Sequence, residues 1–195
     1  MITRHLSEFV QSAARTMPVV SITGPRQSGK TTLAKQAFPE YAYANLEHLP
    51  TRQYAHENPV GFLKQYPNGL IIDEAQYLPE LFSYIQVEVD QSRLNGQYIL
   101  TGSQNFLLME KITQSLAGRV AVFNLLPFAA RELEGTEYQL TNPFEYMVKG
   151  FYPRIYDQMT PIDVFYPSYL LTYLERDCAR IATIGATVPD MKLIC

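Results

Sequence analysis

The sequence predicts an α/β fold built on a mainly parallel sheet with helices on both faces. Short apolar runs alternate with longer amphipathic ones at a spacing that implies βαβ crossovers, and the run Gly69 to Ile72 is too apolar to leave one face wet. No internal repeat, low-complexity tract or Gly/Ser linker interrupts that alternation. Ile2 to Met17 is expected as a helix, with Leu6, Phe9, Val10 and Ala13 on one buried face. Pro18 breaks it, and Val19 to Thr23 is the first strand. Lys30 to Ala37 is a helix that ends before Pro39, and Tyr41 to Asn45 is a second strand. Weak helices are expected over Thr51 to His56 and Val60 to Tyr66, before a third strand from Gly69 to Ile72. Glu80 to Ser92 is a helix, Gln97 to Leu100 a fourth strand, Asn105 to Ala117 a helix and Val120 to Leu125 a fifth strand. Parallel sheets of this kind hold ligands at the carboxyl ends of their strands, so the polar residues there are the candidates for function.

Composition narrows the class. A chain of 195 residues is one domain, or one domain and part of a second. With 47% hydrophobic and 18% charged residues it is neither disordered, collagen-like nor coiled-coil. The 16 Lys and Arg against 19 Asp and Glu argue against a surface given over to nucleic acid, though they leave room for a local basic patch. No run approaches the roughly 18 apolar residues of a membrane span, so no membrane partner is expected. Glu8 and Arg15 follow the N-terminal Met1 too soon for a secretory segment, and the expected location is cytoplasmic. Cys178 and Cys195 resemble neither a disulfide framework nor a metal cluster, and His5, His48 and His56 lack ligand partners at helical spacing.

Gly24-Pro25-Arg26-Gln27-Ser28-Gly29-Lys30-Thr31 follows the first strand and fits G-x-x-x-x-G-K-[ST] at every fixed position. Gly24 and Gly29 permit backbone angles that turn successive N–H groups inward, and the helix starting near Lys30 adds its partly positive end. Lys30 suits the β- and γ-phosphates of a nucleotide, Thr31 an Mg2+ ion, and Thr32 the first helical turn near the α-phosphate. A Gly-rich strand-to-helix turn carrying Lys and Thr by chance is the weaker explanation, because the strand-loop-helix context is present too.

Asp73-Glu74 closes the third strand. Asp73 suits the metal shell and Glu74 suits a general base acting on water, while an N-cap Asp with a first-turn Glu is the alternative. Gln76 is placed equally well in that pocket or facing solvent. After the fourth strand, Ser103, with Thr101 as second choice, is a candidate to touch a γ-phosphate or its attacking water; helix capping is the competing role. Arg119 stands before the fifth strand, either as an arginine finger reaching a neighbouring subunit or as a cation at a helix C-terminus.

Gly24 to Leu33, Leu70 to Gln76, Leu100-Thr101-Gly102-Ser103 and Ser115 to Arg119 together resemble the AAA+ superfamily ATPases of bacteria and archaea. The likeness extends to Gly150-Phe151-Tyr152-Pro153 and Tyr173-Leu174-Glu175-Arg176-Asp177. It implies a three-layer P-loop fold with five strands in the order 5-1-4-3-2. ATP and Mg2+ are then the expected cofactors, with Lys30, Thr31 and Asp73 at phosphate and metal. Glu74 is the implied base, Ser103 or its neighbour the sensor, and Arg119 a finger acting in trans in a homo-oligomer. The resemblance also implies a longer chain, so residues 1–135 are expected as the ATPase core and 136–195 as the helical start of a truncated C-terminal region. Phe144, Tyr146, Phe151, Tyr152, Tyr156, Phe165, Tyr166, Tyr169 and Tyr173 crowd that last third. Interleaved with Lys149, Arg154 and Arg176, they suit either base stacking or, better, core and a docking surface for missing chain. An Mg2+-dependent ATPase is the first functional expectation, an ATP-holding module or remnant without efficient turnover the second, and a small-molecule kinase the third.

Overall fold

The computed structural model describes residues 2–103, 112 and 114–173. Five strands form one sheet in the order β2-β3-β4-β1-β5: β1 (Val19–Thr23), β2 (Ala42–Asn45), β3 (Leu70–Asp73), β4 (Tyr98–Thr101) and β5 (Val120–Asn124). Every neighbouring pair is parallel. Read from the β5 edge this is 5-1-4-3-2, the expected order, and the strands fall within a residue of the expected ranges. Among the described residues the sheet-bearing part carries α1 (Leu6–Ala14), α2 (Lys30–Ala37), α3 (Leu49–Glu57), α4 (Pro59–Lys64), α5 (Leu81–Ser92), helical residues at 112 and 114–116, and the short α6 (Ala130–Leu133). The expected helix start at Asn105, the motif Leu174-Glu175-Arg176-Asp177 and both cysteines lie outside the described residues.

Side chains alternate across the central strands, and that alternation builds two cores. Val19, Leu70, Ile72, Tyr98 and Leu100 face α3, α4 and α5 through Ala55, Phe62, Leu81, Phe82 and Ile85. Val20, Ile22, Ile71 and Ile99 face the other way, onto Val10 and Ala14 of α1 and Leu33, Ala34 and Ala37 of α2. The three central strands are buried at every residue, whereas the outer strands β2 and β5 are only partly covered. This is the physical form of the expected three layers.

The first helix differs from its expected form. It spans only Leu6–Ala14, and its buried side runs through Val10 and Ala14 while Phe9 is 64% exposed. The apolar stripe is therefore rotated away from Phe9. Ile2 and Arg4 are buried ahead of the helix instead of continuing it. The reason lies in Arg4, whose side chain is held by distant segments and so fixes the backbone before the first turn.

The chain divides into two compact units. Among the described residues the first comprises 2–141 with 151–153, and the second comprises 142–150 with 154–173. In the second unit α7 (Pro143–Lys149) buries none of its side chains, leaving Phe144, Met147 and Val148 exposed. A short helix α8 (Pro153–Asp157) precedes α9 (Ile162–Tyr173), which carries Pro167. Tyr156 and Phe165 are buried; the Tyr156 hydroxyl donates to the Gly150 carbonyl at 2.6 Å and the Lys149 ammonium lies 4.4 Å from the Tyr156 ring centre. The aromatic cluster thus supplies both packing and an open apolar face.

Candidate active site

The loop between β1 and α2 starts at Gly24, whose φ of 145° only glycine adopts freely. A Cβ there would overlap the Leu125 carbonyl oxygen, so residue type is set by close backbone approach as well as by conformation. Gln27 (φ 59°) and Gly29 (φ 92°) are also left-handed, and Gly29 directly precedes α2. Alternating left-handed residues turn successive amides toward one concavity, the arrangement that binds anions. Lys30 is buried, and its ammonium donates to the carbonyls of Gly24 at 3.1 Å and Pro25 at 2.8 Å. Burial pushes its pKa down; the nearby Glu74 and Asp73 oppose that shift and Arg26 adds to it. Pro25, Arg26 and the buried Ser28 complete the loop, and the Ser28 hydroxyl has no partner among the described residues. Thr32 is exposed in the first turn of α2.

Asp73 follows from strand alternation. It shares a face with Ile71, which packs beneath α2, so its carboxylate meets the start of that helix. The Thr31 hydroxyl donates to it, with distances of 3.1 and 3.0 Å to the two oxygens. The Tyr43 hydroxyl donates at 2.7 Å and Thr101 supplies a third donor. Burial raises the Tyr43 pKa above the usual phenol range, reinforced by its bond to Asp73, and the Lys35 ammonium sits 3.4 Å from the Tyr43 ring centre. Residues 24–31 and 73–74 thus converge at the carboxyl ends of β1 and β3.

Glu74 is left-handed (φ 54°, ψ 44°), a conformation that costs about 1 kcal/mol or more for a residue with a side chain. It precedes a single 3-10 turn, Ala75–Tyr77, and makes no capping bond. The capping alternative for this acid pair is therefore not what the chain adopts. The Gln76 amide donates to Glu74, so Gln76 belongs to the pocket, and its carbonyl oxygen is buried without a partner. Two residues past Thr101, the buried Ser103 hydroxyl also lacks a partner among the described residues, whereas Thr101 is committed to Asp73. Arg119 is the one candidate not brought to this end. It lies at the start of β5, its carbonyl bonded to the Val19 amide, and pairs with Asp90 at 2.6 and 2.8 Å. Hydrogen bonding to Arg119 holds the Asp90 carboxyl below the usual range.

A family model described as an AAA domain matches residues 16–134. The chain belongs to the AAA domain family. Within the AAA+ superfamily it is an ATPase-type domain, as the motif order implied. Uncharacterized proteins of Mycobacterium tuberculosis and Mycobacterium bovis are each 29% identical over 191 residues, which is 95% of this chain and 41% of theirs. The chain thus spans about two-fifths of the length of the curated relatives it matches. The Walker-type ATPase of Pyrococcus abyssi shares the fold, with a TM-score of 0.57 at 16% identity, covering 97% of this chain and 77% of that one. AMPPCP-bound DnaA from Aquifex aeolicus aligns with a TM-score of 0.46 at 15% identity, over 66% of this chain and 49% of that one. Among the described residues of this AAA domain, no helix is long and apolar enough to cross a membrane. Three residues at or near its site were missed or left open by sequence. For Gln76 the sequence leaves pocket and solvent equally open. Tyr43 was readable in principle from its place on the strand beside β3. Arg4 gave no local signal.

Proposed function

We propose that this AAA domain binds ATP and hydrolyses it with Mg2+, driving a further region or partner. One observation carries the reading: the Thr31 hydroxyl meets the Asp73 carboxylate within hydrogen-bond distance, with Lys30 and Glu74 on either side. A hard cation prefers such oxygen donors, so Thr31 and Asp73 would hold Mg2+, and the orphaned Ser28 and Ser103 hydroxyls suit a polar ligand. When bound, Mg2+ neutralises phosphate charge.

The chain's own residues account for the rest. Lys30 leaves the Gly24 and Pro25 carbonyls for the β- and γ-phosphates. Glu74, aimed by Gln76, accepts a proton from a water whose oxygen bonds to the γ-phosphorus. The bond to the β,γ-bridging oxygen breaks, ADP keeps that electron pair, and inorganic phosphate leaves. Ser103 orients the water or the γ-phosphate, with Thr101 holding Asp73. Arg119 belongs to a neighbour's site in a homo-oligomer, which requires it to exchange Asp90 for phosphate. The relatives it matches are longer, so a region of that kind or a separate partner would receive the work of hydrolysis; for a nucleic-acid partner only the aromatic and basic residues already named speak.

The test is phosphate release at saturating Mg·ATP. Glu74→Gln should lower kcat by about 100-fold to 10,000-fold while fluorescent-ATP binding persists. Binding without release in either form would mark an ATP-holding module instead, and release only with an added acceptor would mark a kinase.

A further inference from the structure

We infer that Arg4 is a positioning residue for the phosphate-binding loop, acting through the Ser28 carbonyl, and that Glu132 locks it in place. The inference rests on the nucleotide-binding reading above. Arg4 precedes α1, lies in no motif, and is 7% exposed. Its guanidinium is almost fully used. Nε donates to Glu132 Oε1 at 3.1 Å, Nη1 to the Ser28 carbonyl at 2.8 Å, and Nη2 to the carbonyls of Leu126 at 2.6 Å and Pro127 at 3.2 Å. The Phe128 ring centre lies 4.9 Å from the guanidinium carbon. Glu132 is fixed in turn: Oε1 accepts the His5 amide at 2.8 Å and Oε2 the Ala129 amide at 2.9 Å.

Fastening the N-terminal segment to residues 126–132 needs only three of those four bonds. The fourth reaches into the nucleotide loop. The carbonyl of residue 28 and the N–H of residue 29 share one planar trans peptide and point in opposite directions. Holding the Ser28 oxygen on the Arg4 side therefore aims the Gly29 amide to the other side. The guanidinium also packs beneath Gly29, 3.5 Å from where a Cβ would stand. Lys30 cannot do this job during binding, because its bonds to the Gly24 and Pro25 carbonyls are those it gives up for a phosphate. The bond from Arg4 survives that exchange. Its charge is matched by Glu132, so the pair shapes the loop without competing as an anion ligand.

Arg4→Lys keeps the charge and can still meet Glu132, but one ammonium cannot span the planar fan of acceptors. With the full chain, titration with a fluorescent ATP analogue should show affinity lowered about tenfold to a hundredfold, the range expected for losing a charged hydrogen bond. KM for ATP should rise more than kcat falls, and amide exchange over 26–30 should quicken in nucleotide-free protein. Glu132→Gln should move all three readouts the same way by less. Nucleotide affinity and loop exchange that match the parent in a folded Arg4→Lys chain would overturn the inference and leave the ATPase reading intact. Loss of the whole fold in both variants would also overturn it, making the pair a general strut. A parent chain that binds no ATP analogue would overturn the nucleotide reading itself, and this inference with it.

Discussion

Each end of the parallel sheet carries an arginine that binds a carboxylate, yet the two pairs are made very differently. At the carboxyl end Arg4 is buried, spread over four acceptors, and paired with a Glu132 that is itself bonded twice by backbone amides. At the amino end Arg119 is half-exposed against Asp90, joined by two short bonds and one to the Ala117 carbonyl. Removing water from a charge is costly, so the buried pair exists only because nearly every donor is answered. The exposed pair faces no such demand and can break and re-form. One arrangement suits holding a loop still; the other suits a side chain that must let go to reach something else.

The sharpest way to break this comparison is to neutralise each arginine. Arg4→Met should destabilise the chain by about 3–5 kcal/mol, because Glu132 is left charged and buried. For a chain of this size that corresponds to a melting temperature roughly 10 °C lower, readable by circular dichroism. Arg119→Met should leave the melt unchanged within error. It should instead remove any dependence of phosphate release on protein concentration, if Arg119 acts on a neighbour. Equal shifts in the two melts would erase the distinction.

The sequence and the structure meet unevenly along the same axis. The strands and the converging loop and acid residues were readable because each rests on local rules: apolar alternation, glycine conformations and fixed motif spacing. The strand order came only with the family resemblance. Arg119 was readable for the same reason, standing at a helix end before a strand. Arg4 was not, since its partners are residues 28, 126, 127 and 132, and nothing near position 4 signals them. The misplaced start of α1 is the visible trace of that blindness. A side chain drawn inward by remote carbonyls overrode a helical periodicity that was locally sound. Tyr43 is intermediate, since strand alternation puts it at the right edge but only the β2–β3 pairing brings its hydroxyl to Asp73.

Tyr43 gives a smaller and more local effect. Tyr43→Phe removes one of three hydroxyl donors to Asp73 while Thr31 and Thr101 remain. About 1 kcal/mol, or roughly fivefold, is the expected loss, seen as a higher Mg2+ concentration at half-maximal nucleotide binding. A matching loss of metal-free nucleotide binding would show that Tyr43 shapes the loop rather than the carboxylate.

The smallest effect at neutral pH lies at the amino end, where Tyr98 opens β4. Burial pushes its phenol up to about 12, with Glu88 adding to the shift, against an ordinary value near 10. The unfolded chain therefore releases this proton first as pH rises. Its contribution to stability is complete below pH 10 and drains away between about pH 10 and 12, because only there does the unfolded form bind fewer protons than the folded one. Phenolate absorbance should show Tyr98 holding its proton through pH 10 to 11 and releasing it on unfolding. Tyr98→Phe should flatten the fall of urea stability over that window while leaving nucleotide affinity at pH 7.5 untouched, since the ring sits at the far end of the strand from Thr101. An unchanged alkaline slope in the variant would move the burden to the other raised phenols, Tyr41 and Tyr43 at the β2 edge and the buried Tyr156. Alkaline stability would then be governed by those phenols, and the amino end of the central strands would matter only through its apolar packing.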